Sequence, residues 1–212
     1  MSGGAERADL EPGASAAGRA PFRLFCVFHA NLDFSALPDA DVPLVLERCY
    51  ARLLDGVERE QLPIGLEMPA RTLARIASEE PDLHKRLCSL AERGLVEWVG
   101  SGRAQLIGPL APVDVNRANL RSGRETYAEL AGAAPTTWFV NEQTFSPGLV
   151  PLYADAGARA LVVEWNNPAT HRRELRALRA RAARLDAGDG RSLAVLWNDC
   201  VVFQRLQRVA HG

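Results

Sequence analysis

The chain of 212 residues is 47% hydrophobic, and its Lys and Arg residues nearly balance its Asp and Glu residues, leaving a formal net charge of −1. That length and apolar fraction are typical of one folded domain with a sizeable core and exclude an intrinsically disordered chain. The near-zero charge provides no long-range attraction to nucleic acid or a membrane surface, and no apolar run approaches the roughly 20 residues that span a bilayer, so we expect neither partner.

The first twenty residues are mainly Gly, Ala, Ser and charged residues. They lack the apolar segment of a signal peptide, and we expect a disordered tail ahead of one domain over residues 21–212. None of the four cysteines stands in a CxxC pair, and Cys26 and Cys49 lie within apolar patterns. We expect buried, reduced thiols, which are typical of a cytoplasmic protein.

The domain begins with a nearly continuous apolar run over residues 22–28 (FRLFCVF), which predicts a strand buried on both faces. His29 ends this strand, and Asn31 follows in a loop rich in Asn, Asp and Pro. Helical patterns and short apolar strands then alternate. The predicted helices cover residues 43–58, 68 to near 81, 82–93, 114–130 and 147–155, and the predicted strands cover residues 62–66, 95–99, 136–140, 160–163 and 192–197.

This alternation predicts an α/β fold with a mainly parallel sheet. Because parallel crossovers are right-handed, a barrel or a doubly wound sheet is favoured. Residues 171–186 carry six arginines. We interpret that segment as a solvated helix or hairpin rather than a nucleic-acid site, because the charge of the rest of the chain is balanced.

Polar side chains lie at or near the ends of five predicted strands. They are His29 with Asn31, Glu67, Glu97, Asn141 with Glu142, and Glu164. In a parallel sheet these groups converge on one rim. Aromatic residues lie beside them, namely Trp98, Trp138, Phe145, Trp165 and Trp197. Aromatic faces pack against sugar rings while acids bind hydroxyl groups, so this combination suits a neutral polyhydroxylated substrate.

Residues 136–147 (TTWFVNEQTFSP) carry the main site prediction. The β-branched and aromatic run predicts a buried strand, and Glu142 follows it, where βα-barrel enzymes place catalytic groups. Cleavage of a glycosidic bond usually uses two carboxylates. A serine-hydrolase elbow, a P-loop and a dinucleotide fingerprint are absent, and the four histidines are far apart in sequence, so we predict no metal and no cofactor.

Three motifs in order resemble glycoside hydrolase family 57, in a bacterial branch that begins with HxNLxxS. Residues 29–35 (HANLDFS) resemble the family's first region, and residues 94–97 (GLVE) resemble its second. A similar Gly- and Pro-rich segment follows over residues 100–112, and residues 138–142 (WFVNE) resemble the third region. The resemblance covers roughly residues 22–212. It implies an incomplete (β/α)7 barrel that acts on α-glucan-type polysaccharide, by hydrolysis or transfer, without a metal.

The resemblance also implies roles for individual residues. Glu142 corresponds to the retaining nucleophile, and His29 corresponds to a histidine that contacts the sugar. We expect Asn31 and Glu97 to bind or orient the sugar beside them. We expect Trp138 and Trp165 to form the walls against which the sugar rings stack.

One departure from the family pattern concerns its fourth region, where an Asp acts as general acid/base. The last acid at a predicted strand end, Asp199, lacks the expected aromatic and Gly context. We therefore expect the N-terminal part of a longer enzyme or a truncated homologue, with an open apolar barrel edge that a partner or a second copy covers. Two other functions stay open: a carbohydrate-binding or regulatory pseudoenzyme, and a deacetylase on a similar barrel, which needs a divalent metal.

Overall fold

The computed structural model of the protein describes residues 25–33, 37–165, 183–198 and 200–211. The predicted disordered tail over residues 1–20 lies outside the described residues. Most of the arginine-rich segment and Asp199 lie outside them as well.

One sheet contains the seven strands of the described residues. They are β1 (Val27–His29), β2 (Ile64–Glu67), β3 (Val96–Gly100), β4 (Thr137–Phe139), β5 (Ala160–Glu164), β6 (Ala183–Asp186) and β7 (Ser192–Asn198). Their order is β1-β2-β3-β4-β5-β7-β6, and every neighbouring pair is parallel except β6 with β7. The predicted α/β fold with mainly parallel strands is therefore confirmed. The first five strands follow chain order, as in a βα-barrel, while β1 and β6 are the two edges of the sheet.

Helices connect the first five strands, and one further helix follows β7. They are α1 (Val42–Val45), which continues through a π-helical stretch (Leu46–Ala51) into α2 (Arg52–Glu60), then α3 (Ala70–Glu79), α4 (Pro81–Glu92), α5 (Val113–Leu130), α6 (Val150–Asp155) and α7 (Cys200–His211). Pro81 occupies the first position of α4, where its missing N–H costs nothing. Gly94 follows that helix with φ of 72°, as the sequence predicts for a terminating glycine. The sequence did not predict α7.

The two faces of the sheet have different surroundings because successive side chains of a strand point to opposite sides. Trp138 and Leu161 point to the face that α5 and α6 cover, and both are fully buried in the core. His29, Glu67 and Phe139 point to the other face, which we call the inner face. Part of the inner face is open to solvent.

The inner face is concave. Strands β2 and β3 lie between β1 and β4, so level residues of β1 and β4 in a flat sheet would be about 14 Å apart. The rings of His29 at the end of β1 and Phe139 at the end of β4 nevertheless have centroids 6.4 Å apart and an interplanar angle of 25°. The sheet therefore curls, and the carboxyl ends of these strands surround one hollow.

Two cysteines depart from the prediction, since Cys26 and Cys49 are exposed. Cys26 lies just before β1, which is a short edge strand, so the apolar run around it is not covered on both sides. Cys49 lies in the π-helical stretch, outside the buried side of that helix. Among the described helices, none combines the length and apolar character needed to cross a membrane.

Candidate functional site

An ion pair joins the carboxyl ends of β1 and β2. His29 and Glu67 are level in the parallel register, and Nδ1 of His29 contacts Oε2 of Glu67. The Glu67 side chain is 0% exposed, while the His29 side chain is 43% exposed. Because a carboxylate can only accept, Nδ1–H of His29 is the donor. The ion pair therefore has a buried acid beneath an imidazole that faces the hollow.

This pairing changes the protonation of His29. The hydrogen bond with Glu67 raises the pKa of His29, burial opposes that rise, and the negative charges of Glu67 and Glu142 reinforce it. The protonated imidazolium is therefore favoured relative to a free histidine.

Glu142 follows β4 in a short 3-10 turn over Asn141–Gln143. Its backbone is left-handed, with φ of 51° and ψ of 18°, and its side chain is exposed. The turn is held from beneath, because buried Asn141 donates from Nδ2 to the backbone oxygen of Ser101 at 2.8 Å. A left-handed non-glycine residue is strained, and such strain persists where the surrounding contacts enforce it.

A chain of amide contacts fixes the Glu142 carboxylate. The backbone N–H of Asp33 donates to Oδ1 of Asn31 at 2.9 Å, so Nδ2 of Asn31 is left to donate to Oε1 of Gln105, at 2.7 Å. That contact turns the Nε2 group of Gln105 toward Oε1 of Glu142, to which it donates. Since a backbone N–H can only donate, the orientation of both amides follows from it. Glu142 is therefore held as a hydrogen-bond acceptor.

A cleft of about 670 Å³ opens beside this carboxylate. It is lined by Asn31, Gln105 and Glu142, and by the loops after β1 and β3. On its rim, Arg71 forms an ion pair with Asp33 at 3.0 Å. The volume is in the range of ligand-binding clefts, and the lining supplies both donors and acceptors.

Trp138 does not line the site, contrary to the prediction. It is 0% exposed, its indole N–H donates to the backbone oxygen of Pro135 at 2.9 Å, and its ring packs edge-on against Tyr153. A Cβ on Gly100 would lie 2.8 Å from Cδ2 of the indole, so the ring lies directly against that backbone. The physical reason is the alternation of β4, which points Trp138 to the helix side and Phe139 to the inner face.

Glu97 lies within its strand rather than at its end, two positions that the sequence left open. Glu97 is the second residue of β3, level with Gly65 and below the level of His29 and Glu67. Its exposed side chain accepts a hydrogen bond from Oγ1 of Thr137 at 3.2 Å. It shares the inner face with the ion pair but lies deeper in the hollow, so its contact with a sugar stays a prediction.

Trp165 follows β5 and packs edge-on against Trp197, with ring centroids 6.0 Å apart. It is 8% exposed, and its predicted role as a stacking wall is not tested by this packing.

Two residues of the site were absent from the predicted set, Glu67 and Gln105. The acid that ends β2 was visible as a polar strand end, and Gln105 lies in the Gly- and Pro-rich segment that resembles the family, but neither residue was given a role. Within the described ranges, no three His, Cys, Asp or Glu residues are grouped so that they could hold a metal ion.

A mainly parallel sheet with His29, Glu67 and Glu142 at the carboxyl ends of its strands defines the class of βα-barrel proteins whose sites lie at that edge. The model of glycosyl hydrolase family 57 matches residues 28–197, which is more than half of the chain. The chain belongs to this family.

Three similar proteins illustrate the extent of the likeness. The 4-alpha-glucanotransferase of Thermococcus litoralis superposes with a TM-score of 0.74 at 18% identity, covering 85% of this chain and 28% of its own. The branching enzyme of Pyrococcus horikoshii gives a TM-score of 0.63 at 12% identity, covering 82% of this chain and 47% of its own. Alpha-amylase 1 of Dictyoglomus thermophilum is 24% identical over 132 residues, which are 60% of this chain and 19% of that protein. The chain spans less than half the length of each relative.

Proposed function

We propose that this chain is a carbohydrate-active domain that cleaves or transfers the glycosidic bonds of an α-glucan by a retaining mechanism, with Glu142 as the nucleophile. Membership of glycosyl hydrolase family 57 supports the reaction class. The names of the similar proteins, an alpha-amylase, a 4-alpha-glucanotransferase and a branching enzyme, support the α-glucan substrate.

The observation that carries this proposal is the carboxylate of Glu142, which a hydrogen bond from Gln105 holds in one direction beside the cleft. A carboxylate nucleophile has to be ionised, accessible and held in one direction. Glu142 is exposed, and Gln105 donates to Oε1, which holds the carboxylate in one direction and leaves Oε2 for attack. Attack on the anomeric carbon forms a covalent glycosyl ester, which water or a sugar hydroxyl then displaces with net retention.

The first test uses an α-glucosyl fluoride, because fluoride leaves without a proton donor. Fluoride release and intact protein mass are followed together. We expect one glycosyl adduct per chain in the unsubstituted protein. Glu142→Gln keeps the shape of the side chain but removes the nucleophile, so both the release and the adduct should fall at least about 1000-fold.

Glu129→Gln provides the matched control, since it makes the same chemical change on the exposed surface of α5. It should leave fluoride release unaltered. Full turnover by a folded Glu142→Gln protein would contradict the proposal. Sugar binding without any fluoride release from the unsubstituted protein would also contradict it, and would instead indicate a carbohydrate-binding protein without turnover.

A further inference from the structure

The cleft beside Glu142 has a charged wall on α3, which the role of Glu142 as nucleophile does not use. Arg71 and Arg75 both line the cleft. They are four positions apart in α3, so they lie on the same side of the helix with a rise of about 6 Å between them. The charged wall is therefore about one helical turn long.

The first charged group of this wall is the ion pair of Arg71 with Asp33, which lies in the loop after β1. Nε of Arg71 is 3.0 Å from Oδ2 of Asp33. The arginine side chain is 57% exposed and the aspartate side chain is 31% exposed. A guanidinium has five N–H donors, and this contact is made through Nε. Both charged groups therefore remain accessible to a ligand in the cleft.

The loop that carries Asp33 is already fixed without the ion pair. The backbone N–H of buried Leu32 donates to Oγ1 of Thr72 in α3 at 3.1 Å, and the backbone N–H of Asp33 donates to Asn31. An exposed ion pair adds little stability, because water competes for both charges. The charged groups are thus held in place before a ligand binds, which lowers the entropy cost of binding.

The loop after β3 adds apolar side chains to the same cleft. Leu106 and Ile107 directly follow Gln105 and line the cleft, and Ile107 is 41% exposed. A pyranose ring has apolar faces and a rim of hydroxyl groups. Apolar side chains pack against the faces, whereas a carboxylate accepts from the hydroxyls and a guanidinium donates to them. The cleft volume of about 670 Å³ is typical of sites for drug-sized ligands, which are larger than one sugar ring.

We propose that the Asp33–Arg71 ion pair is a subsite for a sugar unit other than the one that bonds to Glu142, and that it selects oligosaccharide chains over single sugars. This proposal rests on the α-glucan substrate proposed above. Asn31 accepts from the backbone of Asp33 and donates to Gln105, and Gln105 donates in turn to Glu142. These contacts fix the subsite and the nucleophile relative to each other.

Calorimetric titration with maltohexaose tests the subsite without turnover. The Glu142→Gln protein is titrated with and without the additional change Arg71→Leu. We expect Arg71→Leu to raise the Kd of maltohexaose at least about tenfold, because it removes hydrogen bonds from a charged donor. With Glu142 present, the same change should lower fluoride release from α-glucosyl fluoride by at most about threefold, because that substrate has a single sugar unit.

Arg59→Leu is the matched control. Arg59 forms an exposed ion pair with Glu60 in the last turn of α2. Because β2 follows α2, that end of the helix lies at the opposite edge of the sheet from the carboxyl ends of the strands. Arg59→Leu should therefore alter neither the Kd of maltohexaose nor fluoride release.

The outcomes separate this inference from the proposed function. Unaltered maltohexaose affinity in Arg71→Leu, or no maltohexaose binding by the Glu142→Gln protein, would overturn the subsite and leave the nucleophile in place. Equal losses of affinity and of fluoride release would also overturn it, because the ion pair would then act only by holding the loop. Fluoride release that does not depend on Glu142 would overturn the proposed function, whereas maltohexaose binding that depends on Arg71 would still support the subsite.

Discussion

Gln105 connects two loops of the site through its single amide group. Its oxygen accepts from Asn31 and its nitrogen donates to Glu142. A hydrogen bond to a charged group contributes about 1.5–3 kcal/mol. Because the backbone N–H of Asp33 fixes the orientation of Asn31, the amide of Gln105 has one favourable orientation. The direction of the Glu142 carboxylate, the nucleophile proposed above, therefore depends on the amide of Gln105.

Replacing Gln105 by Leu tests this dependence. Gln105→Leu removes the donor to Glu142 while roughly keeping the side-chain volume. We expect kcat/KM for an α-glucosyl fluoride to fall roughly 10- to 100-fold, with most of the loss in kcat. Gln207→Leu on the exposed surface of α7 is the matched control. Similar rates for the two variants would show that Gln105 does not position the carboxylate.

At the scale of an element, the two aromatic side chains of β4 point to opposite faces of the sheet. Trp138 fills the core beneath the helices, with its indole N–H bonded to Pro135. Phe139 is half-buried on the inner face and stacks with His29. Adjacent residues of one strand thus serve stability and the site separately, because the side chains alternate between faces.

The two aromatic positions of β4 should therefore respond differently to truncation. Trp138→Ala should lower the free energy of unfolding by about 3–5 kcal/mol, since it leaves a large cavity and an unpaired backbone oxygen. Phe139→Ala should cost less stability because its ring is partly exposed, yet it should lower activity by freeing the His29 ring. Urea denaturation and fluoride release measure the two effects. Equal stability losses would contradict the assignment of the faces.

For the whole molecule, the His29–Glu67 ion pair links stability to pH. The hydrogen bond with Glu67 raises the pKa of His29 above its ordinary value of 6.5. A group whose pKa is raised by folding contributes stability that is fully present below its unfolded pKa. That contribution is lost as the pH rises through the folded pKa.

The unsubstituted protein should therefore exceed Glu67→Gln in unfolding free energy by more at about pH 6 than at about pH 9. The 43% exposure of the His29 side chain screens the pair, so we expect a change of only about 1 kcal/mol between these conditions. Chemical denaturation of both proteins at each pH measures it. A difference in stability that does not vary with pH would rule out the linkage.

The outer boundary of the molecule carries exposed apolar side chains. On α7, Val202, Phe203, Leu206 and Val209 are each at least half exposed. The predicted partner or second copy that covers the open barrel edge stays a prediction. Size-exclusion chromatography with light scattering would report whether the chain associates with itself.

The sequence by itself determined the order of the strands and helices except β6 and the last helix, and the mainly parallel character of the sheet. It also determined the place of Glu142 after the central strand. These features depend on local patterns: apolar runs of strand length, helical spacing, and Pro or Gly at element ends. His29 and Asn31 were found for the same reason, since both follow an apolar run that ends in a polar loop.

The tertiary structure alone decided which side chains meet. His29 and Glu67 are 38 positions apart, and Gln105 and Glu142 are 37 apart. Contacts at such separations depend on strand register and on the curl of the sheet, which local patterns do not encode. The same reason explains the error at Trp138. The pattern showed that this residue belongs to a strand, but only the register and the helices packed on the sheet decided that its ring faces the core.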